Sequence, residues 1–148
     1  MPKGFLSGNI ILDLGITAWF LAQLIKCVLE LLFQRKLTPR TLVSSGGMPS
    51  SHSSFVCAMS VGSGRFCGWG SPLFALAAGL AAVVMYDACN VRRAAGENTR
   101  MLNSLLGQLG ELGHLTPEGA LKEILGHTPL QVLVGALLGC GVGFFVPA

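Results

Sequence analysis

With 148 residues, 51% of them apolar and only 11% charged, the chain is too poor in charge to cover itself in water, because soluble domains carry roughly 25% charged residues. The same figures exclude disorder, and the absence of zinc-finger spacing together with the scarcity of aromatics excludes a nucleic-acid module. One membrane-embedded domain over residues 1–148 remains, with a net charge of +3 whose basic residues are grouped rather than spread.

The N-terminus does not read as a cleavable signal, since Lys3 is its leading base and no small-residue cleavage site follows the apolar stretch. The first apolar segment, about residues 9–33, carries Asp13 near one end and Lys26 nearer the other. It is long enough to cross a hydrocarbon core of about 30 Å at 1.5 Å per residue. A basic stretch with Arg35, Lys36 and Arg40 follows, and then a serine-rich run from Ser44 to Ser53. The second span, about 53–70, is short and interrupted by Gly62, Gly64, Arg65, Gly68 and Gly70; the third, about 72–88, is clean.

Residues 94–126 are polar but not structureless, since loops of that length are rare in compact domains. Met101, Leu102, Leu105, Leu106, Leu109 and Leu112 recur at helical spacing, which predicts an amphipathic helix. Thr116, Pro117 and Glu118 read as the start of a second helix and Gly126 as its stop, so the insertion lies on the membrane surface or covers a site. The last span, about 129–146, repeats glycine at positions 135, 139 and 143, a spacing that predicts close helix packing in lipid. The expected fold is therefore all-α: an integral membrane helical bundle of about four spans, with an amphipathic helical insertion before the last.

Four spans put the loops at 34–51 and 89–128 on one side. They hold Arg35, Lys36, Arg40, Arg92, Arg93, Arg100 and Lys122, against Lys3 and Arg65 opposite. The positive-inside rule assigns both loops to the cytoplasm. The five cysteines, Cys27, Cys57, Cys67, Cys89 and Cys140, form no Cys-x-x-Cys pair and mostly lie in apolar runs. Neither a disulfide framework nor a metal site is expected from that pattern.

Two segments each place a histidine beside the start of a membrane helix. Ser50, Ser51 and Pro49 are helix-start residues, which puts His52 in or near a first turn. Thr128 reads as an N-cap and Pro129 as a first helical residue, so His127 just precedes its helix. Helix N-termini present unsatisfied N–H groups and a positive dipole end, which makes them anion sites. Two of them, facing loops that carry Arg92 and Arg93, predict a cradle for a phosphate group.

At these residues the chain resembles a family. Gly47-Met48-Pro49-Ser50-Ser51-His52 is similar to the Pro-Ser-Gly-His motif of the type 2 phosphatidic acid phosphatase superfamily, which also holds bacterial acid phosphatases and vanadium haloperoxidases. The run from His127 to Gly139 resembles its third motif, in which a histidine leads into a Gly-Ala-Leu-Leu-Gly helix. Tyr86-Asp87-Ala88 and the run from Val91 to Gly96 point to a short divergent branch of bacterial and plastid membrane proteins. The resemblance covers most of residues 26–139 and implies metal-free phosphoryl transfer with no cofactor. It makes His127 the nucleophile that becomes a phosphohistidine and His52 the acid for the leaving oxygen. Lys26, Arg92, Arg93 and Arg40 would hold the phosphoryl oxygens, with donors from Ser50, Ser51 and Gly47.

The chain departs from the family at three places. Lys26 is followed by Arg35 nine residues on, where the family has an Arg-Pro pair seven residues after its lysine, so Arg35, Lys36 and Arg40 all remain candidates. Arg93 precedes His127 by 34 residues (127 minus 93) rather than six. Gln131 stands where the family has an aspartate that orients the nucleophile; its amide oxygen can accept a hydrogen bond but cannot stabilise imidazolium as a carboxylate does. Asp87 either substitutes for that aspartate or pairs with Arg92 or Arg93.

The sequence thus predicts a membrane phosphatase for a phosphorylated lipid or isoprenoid, in a bacterial inner membrane or a plastid-type membrane. Its alternative is a non-catalytic membrane protein that binds or moves anionic lipids, the reading that Gln131 favours. Vanadate-dependent halide oxidation has no support beyond the phosphate-pocket resemblance, and no oligomeric state is legible.

Overall fold

The computed structural model of the chain describes residues 3–34, 47–111 and 127–146. It is an all-α membrane bundle, and each helix begins on a recognisable local device. In α1 (Ile10–Gln34) the Asn9 side chain accepts from the amides of Ile11 and Leu12 at 3.0 and 3.3 Å. The Asp13 carboxylate, fully buried in the first turn, accepts from the Leu6 and Ser7 amides at 2.8 and 2.9 Å and from the Ser7 hydroxyl. Those donors and the helix dipole explain a charge inside an apolar segment.

Ser50 caps α2 (Ser51–Cys67), accepting from the Ser53 amide at 3.4 Å. Ser71 caps α3 (Pro72–Tyr86), with proline in the first turn. Thr128 caps α5 (Pro129–Phe145) in a capping box with Gln131. Between α3 and α4 (Arg92–Glu111) the chain does not leave the helix, but passes through one π-helical turn, Asp87–Val91.

Helix α2 sits at the centre, packed on α1, α3 and α5. Gly62 and Gly64 do not interrupt it, contrary to the sequence expectation of a broken span. Both are buried, and a Cβ on Gly62 would stand 2.8 Å from a Leu14 methyl, so the missing side chains admit neighbours. The helical path ends only at Gly68, whose φ of 94° suits glycine.

Helices α2 and α5 run parallel. Gly135 faces Ser50, Gly139 faces Ser54 and Gly143 faces Val61, so the four-residue glycine repeat lies on the α2 contact. Ser54 donates across that contact to the Gly135 carbonyl at 2.9 Å. The outer faces are apolar: Phe20 and Val28 on α1, Leu76 and Val83 on α3, and Leu133 and Leu137 on α5 are all exposed. Small and polar residues inside with large apolar ones outside is the arrangement a bilayer demands. At the end where α5 finishes, Arg65 donates to the Gly143 and Val146 carbonyls, and Trp69 stacks on Phe144 with centroids 5.8 Å apart.

The amphipathic helix predicted in the insertion corresponds over its described part to α4. It exposes Met101, Leu102 and Leu105 and meets the rest of the described chain chiefly through the π-helical turn. Leu112, His114, Lys122 and the helix expected from Thr116 to Gly126 lie outside the described residues, as do Arg35, Lys36, Arg40 and the segment 44–46.

Candidate active site

The starts of α2 and α5 lie side by side at the same end of the bundle. The Ser50 amide, at the cap of α2, donates to the Gln131 carbonyl in the first turn of α5 at 3.0 Å. His127 and His52 therefore flank two adjacent helix N-termini, where unsatisfied amides and dipoles favour an anion.

His127 is only 3% exposed. Its amide donates to the Ala88 carbonyl at 3.2 Å, so the π-helical turn pins the residue before α5 begins. Its ring is oriented by the capping box. Gln131 Oε1 accepts from the Thr128 amide at 3.1 Å and stands 3.1 Å from His127 Nδ1. A backbone N–H can only donate, so the atom turned toward His127 is the amide oxygen. That oxygen in turn can only accept, so Nδ1 carries a proton, and in the neutral ring the lone pair falls on Nε2. A neutral glutamine thus sets the tautomer as a carboxylate would, without supplying the carboxylate's charge.

His52, in the first turn of α2, is exposed. At about 100° per residue it projects roughly 160° around the helix from Ser54, which faces α5. His52 accordingly lies off the α2–α5 contact. Ser50 and Ser51 are both buried. The Ser53 hydroxyl donates to Ser50 Oγ at 3.0 Å, which holds the cap rigid.

Lys26 reaches the same end from the middle of α1, although it is 4% exposed. Gly47, at a φ of 92°, lies on its stem: a Cβ there would stand 3.3 Å from Lys26 Cδ. The chain entering α2 thus covers the lysine's methylenes. Asp87 opens the π-helical turn, half-buried and one residue before the carbonyl that holds His127. Arg92 and Arg93 occupy the first two positions of α4 at this end. Arg40 lies outside the described residues.

Sequence reasoning missed the π-helical turn and the Ala88 carbonyl. Nothing in Asp87-Ala88-Cys89-Asn90-Val91 breaks a helix by composition, and the sign of it is a spare carbonyl that only the fold delivers to His127.

An all-α membrane bundle whose adjacent helix starts carry a pair of histidines is the class of protein these features define. The chain belongs to the divergent PAP2 family, whose model it matches over residues 7–142. It is similar to the uncharacterized membrane protein YuiD of Bacillus subtilis (strain 168), with 38% identity over 135 residues that cover 84% of this chain and 85% of that protein. No solved structure matches it.

Proposed function

We propose that the protein hydrolyses a phosphorylated lipid or isoprenoid through a phosphohistidine. His127 Nε2 attacks phosphorus, and the bond to the leaving oxygen breaks as His52 gives that oxygen a proton. Water then attacks the phosphohistidine, His52 takes up the water's proton, and inorganic phosphate leaves. Lys26, Arg92, Arg93 and Arg40, with donors from Ser50, Ser51 and Gly47, hold the phosphoryl oxygens and stabilise the charge that develops on them. The observation that carries this reading is the bond between His127 Nδ1 and Gln131 Oε1, which in the neutral ring puts the proton on Nδ1 and the lone pair on Nε2. An apolar outer wall around a polar mouth suits a substrate whose tail stays in the bilayer. On the positive-inside count, the mouth opens to the cytoplasm.

The test is phosphate release by the full chain in detergent, with lipid phosphates offered in the presence of a chelator. Turnover is expected to persist there, since no metal takes part in the scheme. Turnover abolished by the chelator would sink the metal-free route. Tight lipid binding without turnover would instead favour the second reading, a receptor or carrier for anionic lipids, which the neutral Gln131 supports.

Gln131→Glu tests the same bond from the other side. The substitution keeps the length of the side chain and both hydrogen bonds of its oxygen, and adds a charge that stabilises imidazolium. Turnover is expected to rise by at least roughly tenfold, a small part of what a carboxylate partner contributes to a catalytic histidine elsewhere. Gln131→Leu, which removes the acceptor, should lower it. If neither variant changes kcat, the glutamine has no part in the chemistry.

A further inference from the structure

Three sulfurs from three helices meet in the apolar core, away from the histidines. Cys57 on α2 stands with Sγ 3.8 Å from Met85 Sδ on α3. Cys140 on α5 packs against the same cluster. The three pack together against Val56, Ala81 and Ala136. Cys57 is five residues beyond His52, about 7.5 Å deeper along the helix axis.

Two sulfurs that share an ion through bonds of about 2.3 Å, at an angle between about 110° and 120°, stand about 3.8 to 4.0 Å apart. The Cys57–Met85 separation meets that condition without movement. Among the described residues no group of three or more histidines, cysteines or acids gathers anywhere to hold a metal, so a hard or borderline ion has no ligand set. Two thiols and a thioether are a soft set that suits Cu(I) rather than Mg²⁺, and a single thiolate balances the charge of a monovalent ion but not that of Zn²⁺.

We infer that Cys57, Met85 and Cys140 form a binding site for a soft monovalent cation of the Cu(I) class. As the ion enters, one thiol gives its proton to solvent and binds as thiolate, while the other thiol and the thioether bind as neutral donors. One positive and one negative charge then cancel, as an apolar core requires, and no electron is transferred. The site is independent of phosphate chemistry. It is invisible to a Cys-x-x-Cys search because Cys57 and Met85 are 28 residues apart and the third ligand lies on the last helix.

The experiment titrates the reduced full chain in detergent, without oxygen, with Cu(I) against a chromogenic Cu(I) chelator. The protein should withdraw about one equivalent, with three sulfur neighbours at about 2.3 Å in X-ray absorption. Cys57→Ala and Cys140→Ala should abolish that capture, and Met85→Leu should weaken it by roughly tenfold or more. The combined Cys27→Ser, Cys67→Ser and Cys89→Ser variant should retain it. The proposal is overturned if the wild-type chain captures no Cu(I), or if capture survives both alanine variants. It is equally overturned if the combined variant loses capture while it unfolds at the wild-type temperature, or if the absorption spectrum shows nitrogen and oxygen neighbours in place of sulfur. The spectrum is read on unaltered protein, so a misfolded variant cannot decide the matter.

Discussion

His127→Ala should reduce phosphate release on the order of 10⁴-fold or more, for every substrate tried. Alanine leaves no atom to attack phosphorus and no covalent intermediate to hydrolyse, so the loss falls on kcat. Substrate binding through Lys26 and the arginines should persist. His52→Ala is expected to behave differently. A proton donor contributes about 10²- to 10⁴-fold where the leaving oxygen is a poor leaving group. It contributes much less where the group leaves readily as an anion. The deficit of His52→Ala should therefore shrink when a lipid phosphate is replaced by a nitrophenyl phosphate, whereas that of His127→Ala should not. Acid quenching during turnover should trap phosphate on the wild-type chain and none on His127→Ala. Activity within tenfold of wild type in His127→Ala would rule out the covalent route, whatever His52 does.

The second large effect is expected at the α2–α5 contact. In Gly139→Leu, a side chain must enter where even a Cβ would collide with the Ser54 carbonyl. Rotation about χ1 gives no relief, because the obstacle is backbone. The two helices must separate, at a cost of at least about 3 kcal/mol, the upper end for forcing bulk into a packed site. Separation also breaks the Ser54 hydrogen bond to Gly135 and the Ser50 hydrogen bond to Gln131, and the second of these joins the two histidine-bearing helix starts. Thermal unfolding in detergent should show a clear drop, and phosphate release should fall with it. Gly141→Leu is the control. A Cβ there meets nothing within 4 Å, so it should change stability by no more than about 0.5 kcal/mol. Equal losses in both variants would mean that the glycine repeat does not set the helix contact.

Both effects act on the paired helix starts, and the starts at Ser50 and Thr128 were legible without any structure. Ser50, Ser71 and Thr128 are caps because their side-chain oxygens satisfy amides within their own first turns, a bond that depends on three or four consecutive residues. Pro72 and Pro129 follow their caps for the same local reason. The glycine repeat was legible too, since its spacing is a property of one helix. Less was readable of α2. Its glycines weigh against a helix when taken alone, and only the burial of Gly62 beside Leu14 explains why the helix continues through them.

The sequence by itself determined an all-α membrane bundle and that two histidines stand at helix beginnings, because apolar length and capping chemistry are decided within a few neighbouring residues. Only the tertiary structure decided that α2 and α5 run parallel with their starts in contact, that Gln131 presents oxygen rather than nitrogen to His127, that a π-helical turn supplies the Ala88 carbonyl, and that three distant sulfurs converge. Those outcomes depend on which backbones can approach one another and which donor faces which acceptor, and such relations hold between residues tens of positions apart.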